Sequence, residues 1–346
     1  MLSTNQKQTY DRIVDQKFGV LNAFDPSKDQ SGLSIVRAVC LETLQEYAVK
    51  VMGNIGGKVN PEFQEEAVIN LALPDGNPRL VKAISVQYAY DGMPAYPLFE
   101  DDSLLHQYSY MVMPLAKRGS LLQLLLSIPG SKSAPKNRAY QRVKYYLCSQ
   151  AVLAVAALFK AGLCHKDLKV DNLVLLQDNE LQALLGLIDF GYCINNAEPT
   201  SDKRGTPVYA PPEKFQDEMK TVDPTKFDIF MLGALLITII FRDTPFSLVN
   251  KQGKTVRCEC INDPWYNYYI LRAAETHENP LMFFKKWGSA PAYEDIRALN
   301  LIVRMIDSNP INRPSLDEVL ADPFIQQYCA PMTTEVKILY DSLIQE

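Results

Sequence analysis

The chain has 346 residues, 47% of them hydrophobic, which is more than one ordinary core holds, so two lobes or domains are expected. Its formal net charge of −5, with both signs interspersed, leaves no electrostatic footprint for nucleic acid or an anionic membrane surface, and neither is expected as a partner. The seven cysteines include no Cys-x-x-Cys pair, and Cys258 and Cys260 lie too close together for a usual zinc clip, so free thiols in a cytoplasmic setting are expected.

In chain order, residues 1–8 are polar throughout and lack the apolar stretch of a signal peptide and a glycine at position 2 for myristoylation. Residues 34–40 and 47–52 are rich in β-branched side chains and flank the polar turn Glu42-Thr43-Leu44-Gln45, predicting a hairpin whose second strand carries Lys50. Asn60-Pro61-Glu62 then reads as an N-cap followed by proline at the first helical position, opening a helix that Pro74 stops. Residues 79–86 and 108–113 read as two further strands, separated by a Pro/Tyr/Asp-rich excursion over 88–102. A small β-rich lobe with one helix is expected.

Beyond Pro114 the pattern turns helical, over 120–127 and then over the long apolar-periodic segment 138–160 that Gly162 ends. The basic stretch 132–137 between them reads as an exposed loop. The longest apolar run, 229–241, is well short of the roughly 20 residues of a bilayer helix and reads as a buried core helix. Near the C-terminus, residues 335–345 predict a helix with Val336, Leu339, Leu343 and Ile344 near one face, packed on the helical lobe.

The strongest chemical signal is His165-Lys166-Asp167-Leu168-Lys169-Val170-Asp171-Asn172, followed by Asp189-Phe190-Gly191 and by Gly205-Thr206-Pro207-Val208-Tyr209-Ala210-Pro211-Pro212-Glu213. Together with Lys50 in Tyr47-Ala48-Val49-Lys50, this ordered set resembles the catalytic core of the eukaryotic protein kinase family over about residues 33–324. The resemblance implies an α+β, bilobal fold: a small antiparallel-sheet lobe over 1–113, a larger, mainly helical lobe over 114–330 and a helical tail over 331–346. It also implies a serine/threonine kinase, monomeric by default, that uses ATP with Mg or Mn and acts on protein hydroxyls.

The same resemblance assigns roles. Asp167 would accept or orient the hydroxyl proton, Lys169 would contact the transferring phosphate, and Asn172 and Asp189 would ligate magnesium through oxygen. Lys50 would hold the α- and β-phosphates, with Glu65 as its ion-pair partner and Glu66 as the alternative. Glu65 is preferred because Val68 and Ile69 then supply an apolar face three and four positions on. Met113 would back the adenine pocket, Leu115 would lie in the connector, Ala48 and Val174 would sandwich the ring, Ile35 would join the nucleotide contacts, and Ser120 would fall at the ribose. Asp228 would anchor the catalytic loop, Arg313 would pair with Glu213, and Thr206 would meet Asp167.

Two departures stand out. The stretch aligned with the family's Gly-rich loop, 28–35, has the single glycine Gly32 where the family carries three, which implies a degenerate phosphate loop and makes an interaction scaffold without catalysis the alternative function. Lys166 replaces an arginine that grips a phosphorylated activation segment in many relatives of this family, which predicts weak dependence on phosphorylation at Thr200 or Ser201.

Overall fold

Strand formation in the first third follows its β-branched composition. The computed structural model describes residues 12–14, 17–23, 33–55, 58–88, 108–128, 138–176, 184–216, 221–287 and 293–344. It divides the chain into two units, Met1–Asp75 with Val81–Ala116, and Gly76–Leu80 with Lys117–Glu346.

The first unit is a six-stranded antiparallel sheet in the order β1-β2-β3-β4-β6-β5: β1 (Arg12–Val14), β2 (Phe18–Ala23), β3 (Leu33–Cys40), β4 (Glu46–Gly53), β5 (Ser85–Gln87) and β6 (Tyr108–Pro114). The β3–β4 hairpin forms as its pattern predicts, with Leu44 in the left-handed region at φ 57° and Arg37 bonded to Glu46 across the strands. Because side chains alternate along a strand, Val36, Ala38, Val49, Val51 and Val112 gather on one face with Phe18 and Tyr110 to form that unit's core. The strands β1 and β2 have no counterpart in the sequence reading.

The predicted strand over 79–86 shrinks to Ser85–Gln87. Its first part leaves the sheet for the second unit, where Leu187 N–H donates to the Arg79 carbonyl at 2.8 Å and Leu80 bridges Leu187. Hydrophobic runs satisfied by burial in a loop look the same in one dimension as runs satisfied in a strand. The excursion over 89–102, the basic loop 132–137 and residues 28–32 of the phosphate-loop stretch lie outside the described residues.

The second unit is mainly helical. Helix α1 (Pro61–Ala72) belongs to the first unit; α2 (Leu121–Ser127), α3 (Arg138–Lys160) and α4 (Pro224–Phe241) belong to the second. Asp223 caps α4 by accepting from the Thr225 and Lys226 amides, Pro224 takes its first position, and Arg242 ends it at φ 55°. Although α3 and α4 have the length and hydropathy of membrane spans, most of each is buried inside the fold, as the core-helix reading of 229–241 requires. Gly233 in α4 lets Met305 and Ile306 approach so closely that a Cβ there would lie 2.9 and 2.8 Å from them. The last helix, Thr334–Ile344, buries Val336 and Tyr340, and the Ser127 hydroxyl donates to the Leu343 carbonyl at 3.2 Å, so residues 331–344 pack on α2 and α3 as part of the second unit. Short strand pairs β7 (Leu163–Cys164) with β10 (Ile194–Asn195), and β8 (Leu173–Leu176) with β9 (Leu184–Leu187), frame the loops that carry the candidate residues Asp167, Asn172 and Asp189.

Candidate active site

In the first unit, the face of the sheet opposite the core carries the nucleotide candidates. Ile35, Lys50 and Met111 are cross-strand partners in one row, and Arg37, Ala48 and Met113 make the next. Directly opposed residues share a face, so Ile35, Ala48, Lys50 and Met113 lie side by side, and half-buried Leu115 follows the end of β6. Lys50 is only 5% exposed, and a buried ammonium requires a partner.

That partner is Glu66. Its two carboxylate oxygens accept from Lys50 Nζ at 2.7 and 2.6 Å. The expectation of Glu65 is corrected: Glu65 is exposed, and Val68, chosen as part of its apolar face, is 58% exposed. Helix α1 instead buries Phe63, Glu66, Ala67 and Asn70, the i, i+3, i+4, i+7 stripe that one helix face presents. Two of those four positions are polar, which hides the stripe from any reading that equates buried with apolar. The Phe63–Ala67 spacing was the signal that could have found it.

In the second unit, the loop after β7 is fixed from below. The Asp228 carboxylate on α4, fully buried, accepts from the backbone N–H of His165 at 2.5 Å and of Lys166 at 2.9 Å. Burial pushes its carboxyl above the usual range, opposed by the bonds from these two amides and by the nearby Lys166 ammonium. His165 Nδ1 accepts from the Asp167 N–H at 3.3 Å while Nε2 lies 3.1 Å from the Ile188 carbonyl, which together fit the neutral tautomer protonated at Nε2. The imidazole also lies against buried Phe190, with ring centroids 5.8 Å apart.

Asp167 is the hub of this unit. Its Oδ1 accepts from Thr206 N at 2.8 Å and from Thr206 Oγ1 at 2.6 Å; its Oδ2 accepts from Lys169 Nζ at 2.6 Å and Asn172 Nδ2 at 3.2 Å. Lys169 Nζ also reaches Thr206 Oγ1 at 3.2 Å, closing the ring of contacts. The arrangement presents a carboxylate beside an ammonium held to it, a pair suited to orienting a hydroxyl and neutralising charge on a group transferred to it.

Asn172 Nδ2 donates to the Asp167 carbonyl at 2.9 Å as well, so its amide oxygen is turned away from Asp167. The Ile188 N–H donates to the Asn172 carbonyl at 3.1 Å, and Asp189 follows at φ 65°, a conformation that redirects the chain. One amide oxygen and one carboxylate, held just before β8 and just after β9, form a hard-oxygen donor set that fits magnesium, which keeps several waters and takes few protein ligands. Among the described residues no cluster of three or more His, Cys, Asp or Glu side chains marks a different metal centre. Val174 lies on β8, buried, and Ser120 bridges it through the backbone. The Ser120 side chain, expected at a ribose, is the N-cap of α2: it accepts from Gln123 N at 3.2 Å, and Gln123 Oε1 accepts from Ser120 N at 2.9 Å.

Behind the segment 205–213, Arg313 holds Glu213 with two bonds of 2.6 and 2.7 Å, both side chains buried, and its guanidinium lies 4.9 Å over Phe230. Gly205 adopts φ 136°, and a Cβ there would sit 2.5 Å from the Lys166 carbonyl. Lys166 itself is fully buried with its ammonium 3.2 Å over the Phe227 ring and, among the described residues, no hydrogen-bond acceptor, and burial pulls its pKa down to about 8. The inward turn of this lysine escaped the sequence reading, since it follows from no spacing.

The protein kinase domain family matches residues 32–325. Similar curated proteins include the serine/threonine-protein kinase ppk34 of Schizosaccharomyces pombe, 28% identical over 225 residues that span 63% of this chain and 56% of that protein. The serine/threonine-protein kinase chk-2 of Caenorhabditis elegans is 27% identical over 237 residues, 68% of this chain and 44% of that protein. The hormonally up-regulated neu tumor-associated kinase of Mus musculus is 26% identical over 223 residues, 63% of this chain and 26% of that protein. The chain thus spans about a quarter to somewhat over half the length of these relatives.

Proposed function

The chain belongs to the protein kinase family, and from that premise we propose that it transfers the γ-phosphoryl group of Mg-ATP to serine or threonine hydroxyls of proteins. The observation that carries this reading is the closed set of contacts joining Asp167, Lys169, Asn172 and Thr206. Phosphoryl transfer through a loose, charge-rich transition state asks the protein for alignment and positive charge more than for covalent chemistry.

In this reading Asp167 accepts the acceptor hydroxyl's proton and Lys169 stabilises charge on the transferring group. Lys50, oriented by Glu66, holds the α- and β-phosphates. Ile35, Ala48, Met113 and Leu115 of the first unit supply apolar walls and backbone groups for the base. Asn172 and Asp189 would hold magnesium, which when bound neutralises phosphate charge. Thr206, fixed to both Asp167 and Lys169, supports a serine or threonine acceptor over tyrosine. All seven cysteines are free, which supports action in a reducing compartment such as the cytosol.

The single glycine in residues 28–35 favours a second reading, an interaction module that binds nucleotide without turnover. Incubation with γ-labelled ATP, magnesium and a mixed basic-protein substrate, followed by phosphoamino-acid analysis, tests the first. Phosphoserine or phosphothreonine supports it; phosphotyrosine alone contradicts the acceptor assignment, and magnesium-dependent ATP binding with no labelled product selects the second reading.

A further inference from the structure

The piece of chain between Asp189-Phe190-Gly191 and Pro207 leads to Thr206, which bonds Asp167, and beyond buried Cys193 it has little apolar anchorage. From Asn195 to Gly205 no residue is buried. Its order therefore comes from polar contacts, several of which meet at Asp202.

Asp202 Oδ1 accepts from the Arg204 N–H at 2.8 Å, and Oδ2 accepts from Arg204 Nε at 2.9 Å and lies 2.8 Å from Nη2. The Asp202 N–H donates to Thr200 Oγ1 at 3.0 Å, and the Thr200 backbone pairs in both directions with Val222, at 2.9 and 2.8 Å. The Arg204 guanidinium, so held, lies 5.0 Å over the Tyr192 ring, immediately after Gly191. Asp202 thus reaches Thr200 through its backbone and Arg204 through its carboxylate, and Arg204 in turn covers Tyr192.

The charge balance points the same way. Asp202 attracts the buried Lys166 ammonium and that of Lys214, whose Nζ donates to the Lys203 carbonyl at 2.5 Å. Lys166 adjoins Asp167, and its carbonyl faces Gly205. Arg204 therefore bonds this partly buried carboxylate directly, and the Lys166 and Lys214 ammoniums, from two other stretches of chain, are attracted by its charge.

We propose that Asp202 is a positioning residue for the transfer reaction: a built-in anion that fixes residues 198–205, and through them Thr206 on Asp167, without phosphorylation of Thr200 or Ser201. An Asp202→Asn side chain can still accept from the Arg204 amide but cannot attract Lys166, Arg204 and Lys214 by charge, whereas Asp202→Glu keeps the charge. The effect on rate rests on the kinase reading given above; the effect on the segment's order does not.

The test uses the full chain as wild type, Asp202→Asn and Asp202→Glu, with amide hydrogen exchange and, in parallel, steady-state transfer of γ-phosphate before and after phosphatase treatment. The expected result is faster exchange at Thr200, Arg204 and Thr206 in Asp202→Asn, with α4 unchanged. The kcat should fall by up to about 10²-fold at unchanged KM for ATP, as misplacement of a reacting group does. Asp202→Glu should recover both readouts, and phosphatase should leave the wild-type rate intact. Wild-type exchange across 198–206 in Asp202→Asn, a wild-type kcat in that variant, or loss of wild-type activity on phosphatase treatment would each overturn the proposal. If the wild type transfers nothing, the kinase reading fails, and the exchange comparison alone decides whether Asp202 orders the segment.

Discussion

Replacing Glu66 by glutamine separates it from Glu65 more sharply than any other single change. In the native chain both Glu66 oxygens are within 2.7 Å of Lys50 Nζ, with side chains 5% and 6% exposed. At that depth, removing one partner leaves a poorly solvated charge on the other, and breaking a buried pair costs about 3–5 kcal/mol. Glu65→Gln alters an exposed helix position, where a pair is worth at most about 1 kcal/mol. Urea unfolding of wild type and the two variants, followed by far-UV circular dichroism, should show a large drop in midpoint for Glu66→Gln and a small one for Glu65→Gln. Transfer activity should follow the same order, since Lys50 loses the group that orients it. Equal midpoints for the two variants, or a larger loss from Glu65→Gln, would refute the assignment of Glu66.

Other consequences can be checked on the same protein. Gly205→Ala forces a side chain into φ 136° and to within 2.5 Å of the Lys166 carbonyl, so it should cost about 1–3 kcal/mol of stability and most of the activity; a fully active alanine variant would show that the segment has slack there. Glu213→Gln should cost about 3–5 kcal/mol in calorimetric stability by leaving Arg313 buried beside a neutral amide. Lys166 gives a pH signature. Its pKa is lowered to about 8 in the folded chain from 10.5, so between those values the folded state has lost a proton the unfolded chain still holds, and stability should rise as pH climbs through that window. Below pH 8 the cost of the buried charge is at most about 3 kcal/mol, partly offset by the Phe227 ring. Denaturant midpoints for Lys166→Met should lack that rise; parallel profiles for variant and wild type would remove Lys166 as its source.

The residues named by motif were legible because each lies on a contiguous or fixed-spacing signal: Asp167 bonds Thr206, Asp228 holds the His165 and Lys166 amides, and Arg313 grips Glu213. The hairpin, the start of α1 and the bounds of α3 were legible from turn and cap chemistry and from hydrophobic period. Glu66 was not, because a helix face that buries a carboxylate and an amide does not read as a hydrophobic stripe. Residues 79–84 read as a strand because burial and strand pairing select the same side chains, and only the long-range bond from Leu187 to Arg79 shows where the chain goes. The Ser120 hydroxyl, expected at a ribose, completes a capping box, a signal present in the Ser-x-x-Gln spacing itself. Asp202 and inward Lys166 depend on how three stretches of chain meet, which no local pattern encodes.

The central claim is that the Asp167 centre transfers phosphate. Its most direct test is incorporation of γ-labelled phosphate from Mg-ATP into a protein substrate and into the chain itself, for wild type, Asp167→Asn and Lys50→Met side by side. The account predicts label from wild type only. Silence from all three proteins with both magnesium and manganese, or equal incorporation by all three, would contradict it.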